Sequence, residues 1–237
     1  MQLFYIEDLC NDWVTLPAEE SRHCSKVLRL RRGDELHLTD GCGLMCRAEV
    51  DVSDPRATTL HIVERTTDYG HRPYYLHMAV APTKNAARYE WFVEKAVEIG
   101  VDEITLLRCD HSERTDLNLE RLERIVVSAM KQSLKAYKPR LNAPTTMDKL
   151  LATPFEGLRL MGYCTSTDRT PLGHAYQAGV PTTILIGPEG DFSEREVAAA
   201  RVQGVVPITL GESRLRTETA ALMAVACAAL ANQASLT

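Results

Sequence analysis

The chain has 237 residues, of which 45% are hydrophobic and 25% charged, and its formal net charge is −5. These proportions are those of folded globular proteins and exclude a disordered chain, and the length suits one small and one medium domain, each with its own core. The negative net charge excludes a surface that is basic throughout, although phosphate contacts need only a local basic cluster.

The sequence also lacks the signs of membrane insertion, export and metal binding. No apolar run approaches the roughly 20 residues that a membrane-spanning helix needs, and MQLFYIEDLC does not resemble a signal peptide, so we expect a cytoplasmic protein without a membrane partner. The cysteines are odd in number, scattered and without a CxxC pair, which predicts neither disulfides nor a zinc site. They are Cys10, Cys24, Cys42, Cys46, Cys109, Cys164 and Cys227.

Residues 1–70 are predicted to form a small β-barrel, because short strand-like segments are separated by polar turns. The segments are LFYI, ELHLTDG, RAEVDVS and TTLHIVE. The same region contains a first basic cluster, formed by Arg22, Lys26, Arg29, Arg31 and Arg32. A second, thinner cluster is formed by Lys131, Lys135, Lys138 and Arg140. Each cluster is either an ordinary solvated face or a binding surface for phosphates, and charge alone leaves both interpretations open.

After the polar segment TTDYGHRP the pattern changes to alternating strands and helices, so residues 74–237 are predicted to form an α/β domain. Its first elements are the strand YLHMAVAP, the helix RYEWFVEKAVEIG, the strand EITLLRC and the long amphipathic helix LNLERLERIVVSAMKQSLKAY. Three more strands follow, LRLMGYC, TTILIGP and VVPITLG, and a helix with a capping box at Ser193 and Glu196 separates the last two. The final helix, TETAALMAVACAALANQ, is apolar nearly all round, which predicts that it is buried or packs against a partner subunit.

Two loops of the second domain are candidates for a ligand site. In ILIGPEGDFS a buried strand runs into a turn with Gly187, Pro188 and Gly190, and loops at the carboxyl ends of parallel strands are where α/β sheets bind ligands. A tight connection between a strand and a helix would explain the same residues equally well. Neither a phosphate loop nor the GxGxxG fingerprint is present, which makes ATP and NAD weak candidates.

The second loop, in ITLGESRLRTETAAL, joins another buried strand to the final helix. Thr217, Glu218 and Thr219 fall in the first turn of that helix, where they could simply satisfy its free amide groups. Arg214 and Arg216 are not explained in this way, because the helix dipole disfavours cations near a helix start. Their presence favours an anionic or electron-rich ligand.

The stretches IGPEGDFS and LGESRLRTETAA, in this order, resemble the signature of the RsmE family of 16S ribosomal RNA methyltransferases, in the SPOUT superfamily. The resemblance extends through HCSKVLRLRRGDELHLTDG, EKAVEIGV and MKQSLKAYKPRL. It implies a PUA-like β-barrel that helps to bind RNA in residues 1–70 and a SPOUT methyltransferase domain with a trefoil knot in residues 74–237. It also implies a homodimer, S-adenosylmethionine as the cofactor, and methylation at N3 of a uridine in 16S ribosomal RNA of the small subunit.

Carried over residue by residue, the resemblance implies a methyl-donor site formed by both loops. Arg216 is expected to stabilise negative charge on the uracil, and Glu189 or Glu218 to accept its proton. Contacts to RNA are expected from the first basic cluster and from Lys135 and Lys138. The expected donor-binding residues are Ile186, Gly187, Glu189, Gly190, Leu210, Gly211, Leu215, Arg216, Thr217 and Thr219.

Two positions depart from the commonest pattern of the family. Asp191 replaces the second glycine of PEGG, and QSLKAY replaces a form with arginine shortly after QS, which moves the expected basic contact to Lys135 or Lys138. Two other functions are compatible with the sequence. One is a SPOUT methyltransferase that acts on transfer RNA or large-subunit ribosomal RNA, and the other is an RNA-binding module without catalytic activity.

Overall fold

A computed structural model describes residues 1–164 and 169–234 of the chain. The chain divides into two compact units, of which the first comprises Met1–His71 and Val127–Lys138 and the second comprises Arg72–Val126 and Pro139–Thr237. The sequence boundary between residues 70 and 74 stays a prediction, and the compact units differ from it by placing Val127–Lys138 with the first unit. The sequence gives no sign of this grouping, because one uninterrupted helical pattern runs across residues 126 and 127.

The first unit is built on a five-stranded sheet that curls as a half-barrel. Its strands are β1 (Leu3–Tyr5), β2 (Trp13–Thr15), β3 (Glu35–Thr39), β4 (Met45–Val52) and β5 (Thr59–Thr66), in the order β1-β3-β4-β5-β2. Strand β1 runs parallel to β3 and the other pairs are antiparallel. Alternate side chains point inward, so Leu36 and Leu38 of β3 meet Leu60 and Ile62 of β5 in one core. The short strand β2 is the one that the sequence did not predict.

One helical segment lies between β2 and β3 along the chain. Helix α1 (Ala18–Arg22) continues into a π-helical turn (His23–Val27), and the fully buried hydroxyl of Ser21 donates a hydrogen bond to the carbonyl of Leu16. The same hydroxyl accepts a hydrogen bond from the amide of Thr58. These bonds attach the helical segment to the residues that flank β2 and β5.

The second unit is a parallel sheet with helices along its length. The strand order is β10-β12-β9-β11-β6-β7-β8, and every pair is parallel. The strands are β6 (Leu76–Val80), β7 (Glu103–Arg108), β8 (Arg140–Thr146), β9 (Leu158–Gly162), β10 (Thr170–Pro171), β11 (Thr182–Ile186) and β12 (Val206–Thr209). The helices are α2 (Ala86–Ile99), α3 (Leu119–Gln132), α4 (Met147–Ala152), α5 (Leu172–Ala175), α6 (Glu194–Val202) and α7 (Thr217–Ala234). From Val127 onward, α3 belongs to the first unit.

The observed architecture confirms the predicted fold class, an α/β protein with a SPOUT-type C-terminal domain and a small PUA-like N-terminal sheet. Every residue of β6 and of β11 is buried, as expected for central strands covered on both faces. The capping box of α6 is present, since Ser193 and Glu196 exchange side-chain and backbone hydrogen bonds. Helix α3 is shorter than predicted: it ends at Gln132, and Leu134 takes a φ of 56°, which a helix does not permit.

Candidate functional site

The second unit has a cavity at the carboxyl ends of three neighbouring strands, β9, β11 and β12. Its volume is about 810 Å³, which lies within the range of small-molecule binding sites. Because parallel strands all end at the same edge of the sheet, the loops that follow them meet there, and this is where α/β sheets bind ligands. The two loops that the sequence singled out therefore form one site.

The structure brings together all but one of the predicted donor-binding residues. Those that line the cavity are Ile186, Gly187, Glu189, Gly190, Leu210, Gly211, Leu215, Arg216 and Thr217. Thr219 does not line it: this residue is exposed on α7, whereas Thr217 and Ala220 face the cavity. The reason is the helical period, which places residues three apart on one face and residues two apart on different faces.

The glycines of the first loop allow close approach of neighbouring side chains. A Cβ atom added to Gly187 would lie 3.1 Å from the ring of Phe192, and one added to Gly190 would lie 3.1 Å from Cβ of His111. Neither glycine has a positive φ, so a larger residue is disfavoured here by lack of space and not by the backbone conformation. Glycine at these positions lets the side chains of Phe192 and His111 pack directly against the loop that lines the cavity.

The two loops are joined by one buried hydrogen bond. The hydroxyl of Thr217, which is 5% exposed, donates to the carbonyl of Gly187 at 3.1 Å. Thr217 is the first residue of α7 and Gly187 follows the last residue of β11, so this bond fixes the helix start against the strand end. In the second loop Gly211 has a φ of 119°, a conformation that side chains other than glycine rarely adopt.

The three predicted catalytic residues have different surroundings. Arg216 lines the cavity, is exposed, and has no ion pair or side-chain hydrogen bond to any residue within 1–164 or 169–234. Glu189 also lines the cavity, and its carboxylate accepts a hydrogen bond from the backbone amide of Lys84 at 3.1 Å. Glu218 is 8% exposed, lies outside the cavity lining, and faces the guanidinium of Arg88 at 3.7 Å. The cavity thus brings Arg216 together with Glu189 and leaves Glu218 outside.

Sequence reasoning missed one wall of the cavity, which is formed by Gly162 at the end of β9, by Tyr163 and Cys164 after it, and by Arg169. The sequence placed Gly162, Tyr163 and Cys164 inside the predicted strand LRLMGYC, whereas β9 ends at Gly162, so Tyr163 and Cys164 belong to the loop that follows it. Asp191 and Arg214 complete the lining near this wall. Burial, and then the negative charge of Asp191, raise the pKa of the Cys164 thiol, so this side chain is a neutral part of the wall.

The predicted RNA-binding residues all belong to the first unit. Arg22, Lys26, Arg29, Arg31 and Arg32 are exposed, and Arg32 pairs with Asp51 at 3.2 Å. Lys135 and Lys138 are half-buried and fall in the same unit because Val127–Lys138 does. The ammonium of Lys138 lies 5.5 Å from the ring centre of Tyr5. The first basic cluster and Lys131, Lys135 and Lys138 of the second are therefore carried by the PUA-like unit, whereas Arg140 belongs to the second unit.

Among the residues that the structure describes, no group of three or more His, Cys, Asp or Glu side chains is arranged to hold a metal ion. No helix in the described part of the chain combines the length and the apolar composition needed to cross a membrane.

Comparison with known proteins identifies relatives over nearly the whole chain. The family model for the RNA methyltransferase domain matches residues 71–229. Ribosomal RNA small subunit methyltransferase E of Synechocystis sp. is 29% identical over 231 residues, which are 93% of this chain and 74% of that protein.

Two solved structures are similar in fold and sequence. A probable rRNA-methyltransferase from Porphyromonas gingivalis is 40% identical with a TM-score of 0.92, and the match covers 99% of this chain and 100% of that one. A ribosomal RNA small subunit methyltransferase E from Neisseria gonorrhoeae, solved bound to S-adenosyl methionine, is 27% identical with a TM-score of 0.84 and covers 95% of each chain.

Proposed function

We propose that this chain, which belongs to the RNA methyltransferase family and within it to the RsmE family, is an S-adenosylmethionine-dependent methyltransferase that acts on N3 of a uridine in 16S ribosomal RNA. The observation that carries the proposal is that both loops of the family signature line one and the same cavity at the ends of β9, β11 and β12. Its size, its position on a parallel sheet and its mixed apolar and polar lining suit a nucleoside-containing ligand.

The residues of the cavity fit the methyl donor. Ile186, Leu210 and Leu215 provide apolar surface for an adenine ring, and the backbone around Gly187 and Gly211 provides donors and acceptors for polar groups of a ligand. When bound, S-adenosylmethionine supplies an activated methyl group on a sulfonium centre. Glu189 gives the cavity an acidic group that favours a cationic ligand.

Reaction at N3 requires this chain to manage a proton and a negative charge. N3 of uracil carries a proton, and its removal leaves charge spread over N3 and the two flanking carbonyl oxygens. Arg216 is the proposed stabiliser of that charge, because its guanidinium lines the cavity without an ion-pair partner among the described residues. Glu189 is the preferred proton acceptor, because Glu218 lies outside the lining and faces Arg88.

The PUA-like unit is proposed to hold the RNA, with phosphate contacts from the first basic cluster and from Lys135 and Lys138. The uridine must be unpaired or turned out of its helix before reaction, because base pairing hides N3. A homodimer in the cytoplasm, where ribosomal subunits are made, is proposed as the working form. The exposed apolar side chains of α7, Met223 and Leu230, favour contact with a second copy.

Transfer of labelled methyl from S-adenosylmethionine to small ribosomal subunits tests the activity. Wild-type protein is expected to label 16S ribosomal RNA, and Arg216→Ala to lose at least about a hundredfold in rate, as removal of one charge-stabilising donor does elsewhere. Arg201→Ala is the matched control, since Arg201 is an exposed arginine of α6 outside the cavity. Full activity of Arg216→Ala would remove this residue from the mechanism.

Nucleoside mapping identifies the substrate. Loss of 3-methyluridine from 16S ribosomal RNA in a strain without the gene is the expected result. Loss of a modification from transfer RNA or from large-subunit RNA instead would assign the chain to another SPOUT activity. Purified protein that binds RNA but gives no calorimetric signal with S-adenosylmethionine would favour an RNA-binding module without catalytic activity.

A further inference from the structure

Asp191 has a backbone conformation that residues other than glycine adopt infrequently. Its φ is 61°, in the left-handed region, where aspartate is one of the better tolerated residues. The turn is tight, because the amide of Asp191 donates to the carbonyl of Pro188 at 3.0 Å. Glycine would fit this turn without strain, so the presence of aspartate points to a use for its side chain.

The carboxylate of Asp191 joins two of the loops that form the cavity. One oxygen accepts a hydrogen bond from the backbone amide of Cys164 at 3.1 Å, and the other accepts one from the amide of Phe192 at 2.9 Å. Cys164 lies in the segment after β9, whereas Asp191 and Phe192 lie in the segment after β11. Hydrogen bonds from amides to a charged carboxylate are stronger than those between neutral groups.

A third loop is attached to the same peptide. Nδ1 of His111, which follows β7, lies 3.2 Å from the carbonyl oxygen of Asp191 and 3.1 Å from that of Gly190. A carbonyl only accepts, so Nδ1 carries the proton and donates in both contacts. The residues after three strands of the sheet thus meet at Gly190 and Asp191, and Cys164, Gly190 and Asp191 all line the cavity.

We infer that Asp191 is a positioning residue for the methyl donor: its carboxylate holds the wall after β9 against the loop after β11 and so fixes the shape of the cavity. The inference rests on the proposed function for the identity of the ligand. Glycine would relax the turn at this position, whereas aspartate bridges the two segments.

Calorimetry with S-adenosylmethionine on Asp191→Gly tests the inference. Glycine keeps the positive φ and removes both carboxylate hydrogen bonds, so donor affinity is expected to fall by about tenfold, which corresponds to about 1.4 kcal/mol. The melting temperature is expected to change by no more than about 3 °C, because relief of backbone strain offsets the lost bonds. The KM for the donor should rise while kcat and the KM for RNA stay near the wild-type values.

A second ligand and a second variant distinguish a carboxylate that positions the wall from one that attracts the positive charge of the donor. S-adenosylhomocysteine lacks the sulfonium charge, so a wall that is merely out of place should weaken both ligands by the same factor. Asp191→Asn should behave like Asp191→Gly, because one of its two acceptor oxygens becomes an NH2 group that opposes a backbone amide. A loss confined to the cationic ligand would overturn the inference in favour of direct electrostatic contact.

Asp68→Gly is the control, since Asp68 has a φ of 54° in the other compact unit and its replacement relieves the same kind of strain. It should leave donor affinity unchanged. Hydrogen exchange gives a readout that needs no ligand: the amide of Cys164 should exchange faster in Asp191→Gly. Equal donor affinity in wild type and Asp191→Gly would contradict the inference, whereas wild-type protein that does not bind the donor would contradict the proposed function itself.

Discussion

At the scale of single residues, the hydrogen bond from Thr217 to Gly187 makes the sharpest prediction. Thr217→Val keeps the shape of the side chain and leaves the buried carbonyl of Gly187 without this donor. The free energy of unfolding should fall by about 1 to 3 kcal/mol, and donor affinity should fall with it, because the two loops lose their link. Urea denaturation and calorimetry measure the two effects.

Thr219→Val is the matched control for this change, two residues along the same helix. Thr219 is exposed and outside the cavity lining, so its replacement should alter stability by less than about 0.5 kcal/mol and leave the donor affinity unchanged. A larger effect at Thr219 than at Thr217 would restore the original prediction that Thr219 contacts the donor.

Two conditions made a cavity residue predictable from the sequence: it lies in a loop after a predicted strand, or it belongs to the family signature. Gly187, Gly211 and Thr217 satisfy both conditions and line the cavity. Thr219 satisfies the motif but not the helical geometry. Cys164 and Arg169 belong to no motif, and they join the site only because β9 lies beside β11 and β12 in the sheet, a neighbourhood that periodicity does not reveal.

At the scale of secondary-structure elements, a polar network crosses four strands of the parallel sheet. His77 of β6 aligns with Thr183 of β11 and with Glu103 of β7. The ring of His77 lies 3.3 Å from the hydroxyl of Thr183 and 2.7 Å from that of Thr105. Its other polar neighbour, the carboxylate of Glu103, is 4.0 Å from the ring. The network therefore surrounds a buried imidazole.

Charged groups around this imidazole shift its pKa in opposite directions. Glu103 accepts hydrogen bonds from Tyr75 and Asn142 and pairs with Arg140 at 2.6 Å. Burial opposes ionisation of Glu103, but the hydrogen bonds from Arg140 and Tyr75 outweigh it and lower the pKa of this carboxyl group. Burial lowers the pKa of His77 to about 4, the attraction of Glu103 opposes this shift, and the positive charges of Arg140 and Arg159 add to it. The imidazole is neutral in the folded protein at neutral pH.

His77 consequently makes stability depend on pH. Its folded pKa of about 4 is below the ordinary value of 6.5, so between these two values the unfolded chain binds more protons than the folded one. The free energy of unfolding should fall as the pH falls through this window, by about 3 kcal/mol in total. Glu103 adds its own loss only at lower pH, because its folded pKa is below the ordinary carboxyl value.

Urea denaturation between pH 7.5 and about 4.5 measures this dependence. His77→Gln removes the titrating group and should flatten the curve in that window, whereas His174→Gln, at an exposed histidine of α5, should keep the wild-type slope. Identical slopes for wild type and His77→Gln would show that the network does not govern acid sensitivity.

The positions of helices and strands were predictable wherever hydrophobic residues recur at helical or strand spacing over a full helical turn or strand. The buried strands β6 and β11 and the capped helix α6 meet this condition. Strands β2 and β10 do not, because three and two residues are too few to show a period. The end of α3 was missed for another reason: the helical pattern continues to Tyr137, but the chain turns at Leu134 so that Ala136 packs with Leu3 and Met45 in a small separate cluster.

At the scale of the whole molecule, helix α7 carries apolar side chains that the described chain itself does not cover. It has no charged residue after Glu218, and one face is buried through Ala221, Ala224, Val225 and Ala228. On another face Met223 is 42% exposed and Leu230 is 64% exposed. The sequence predicted either burial or contact with a partner subunit, and the structure supplies burial for only part of the helix.

The proposed homodimer is therefore expected to depend on this face of α7. Leu230→Glu places a charge in the apolar contact, where it would lose its hydration without gaining a partner, so the dimer should dissociate. Light scattering coupled to size-exclusion chromatography should then report twice the chain mass for wild type and the chain mass for the variant. Val202→Glu, the same kind of change at a valine of α6 that is 84% exposed, should leave the dimer intact. A dimeric Leu230→Glu protein would place the interface elsewhere, and a monomeric wild type would contradict the dimer itself.

If Leu230→Glu lowers both the measured mass and the rate of methyl transfer, an active cavity requires the second copy. The link is α7, which begins at Thr217, a residue of the cavity lining.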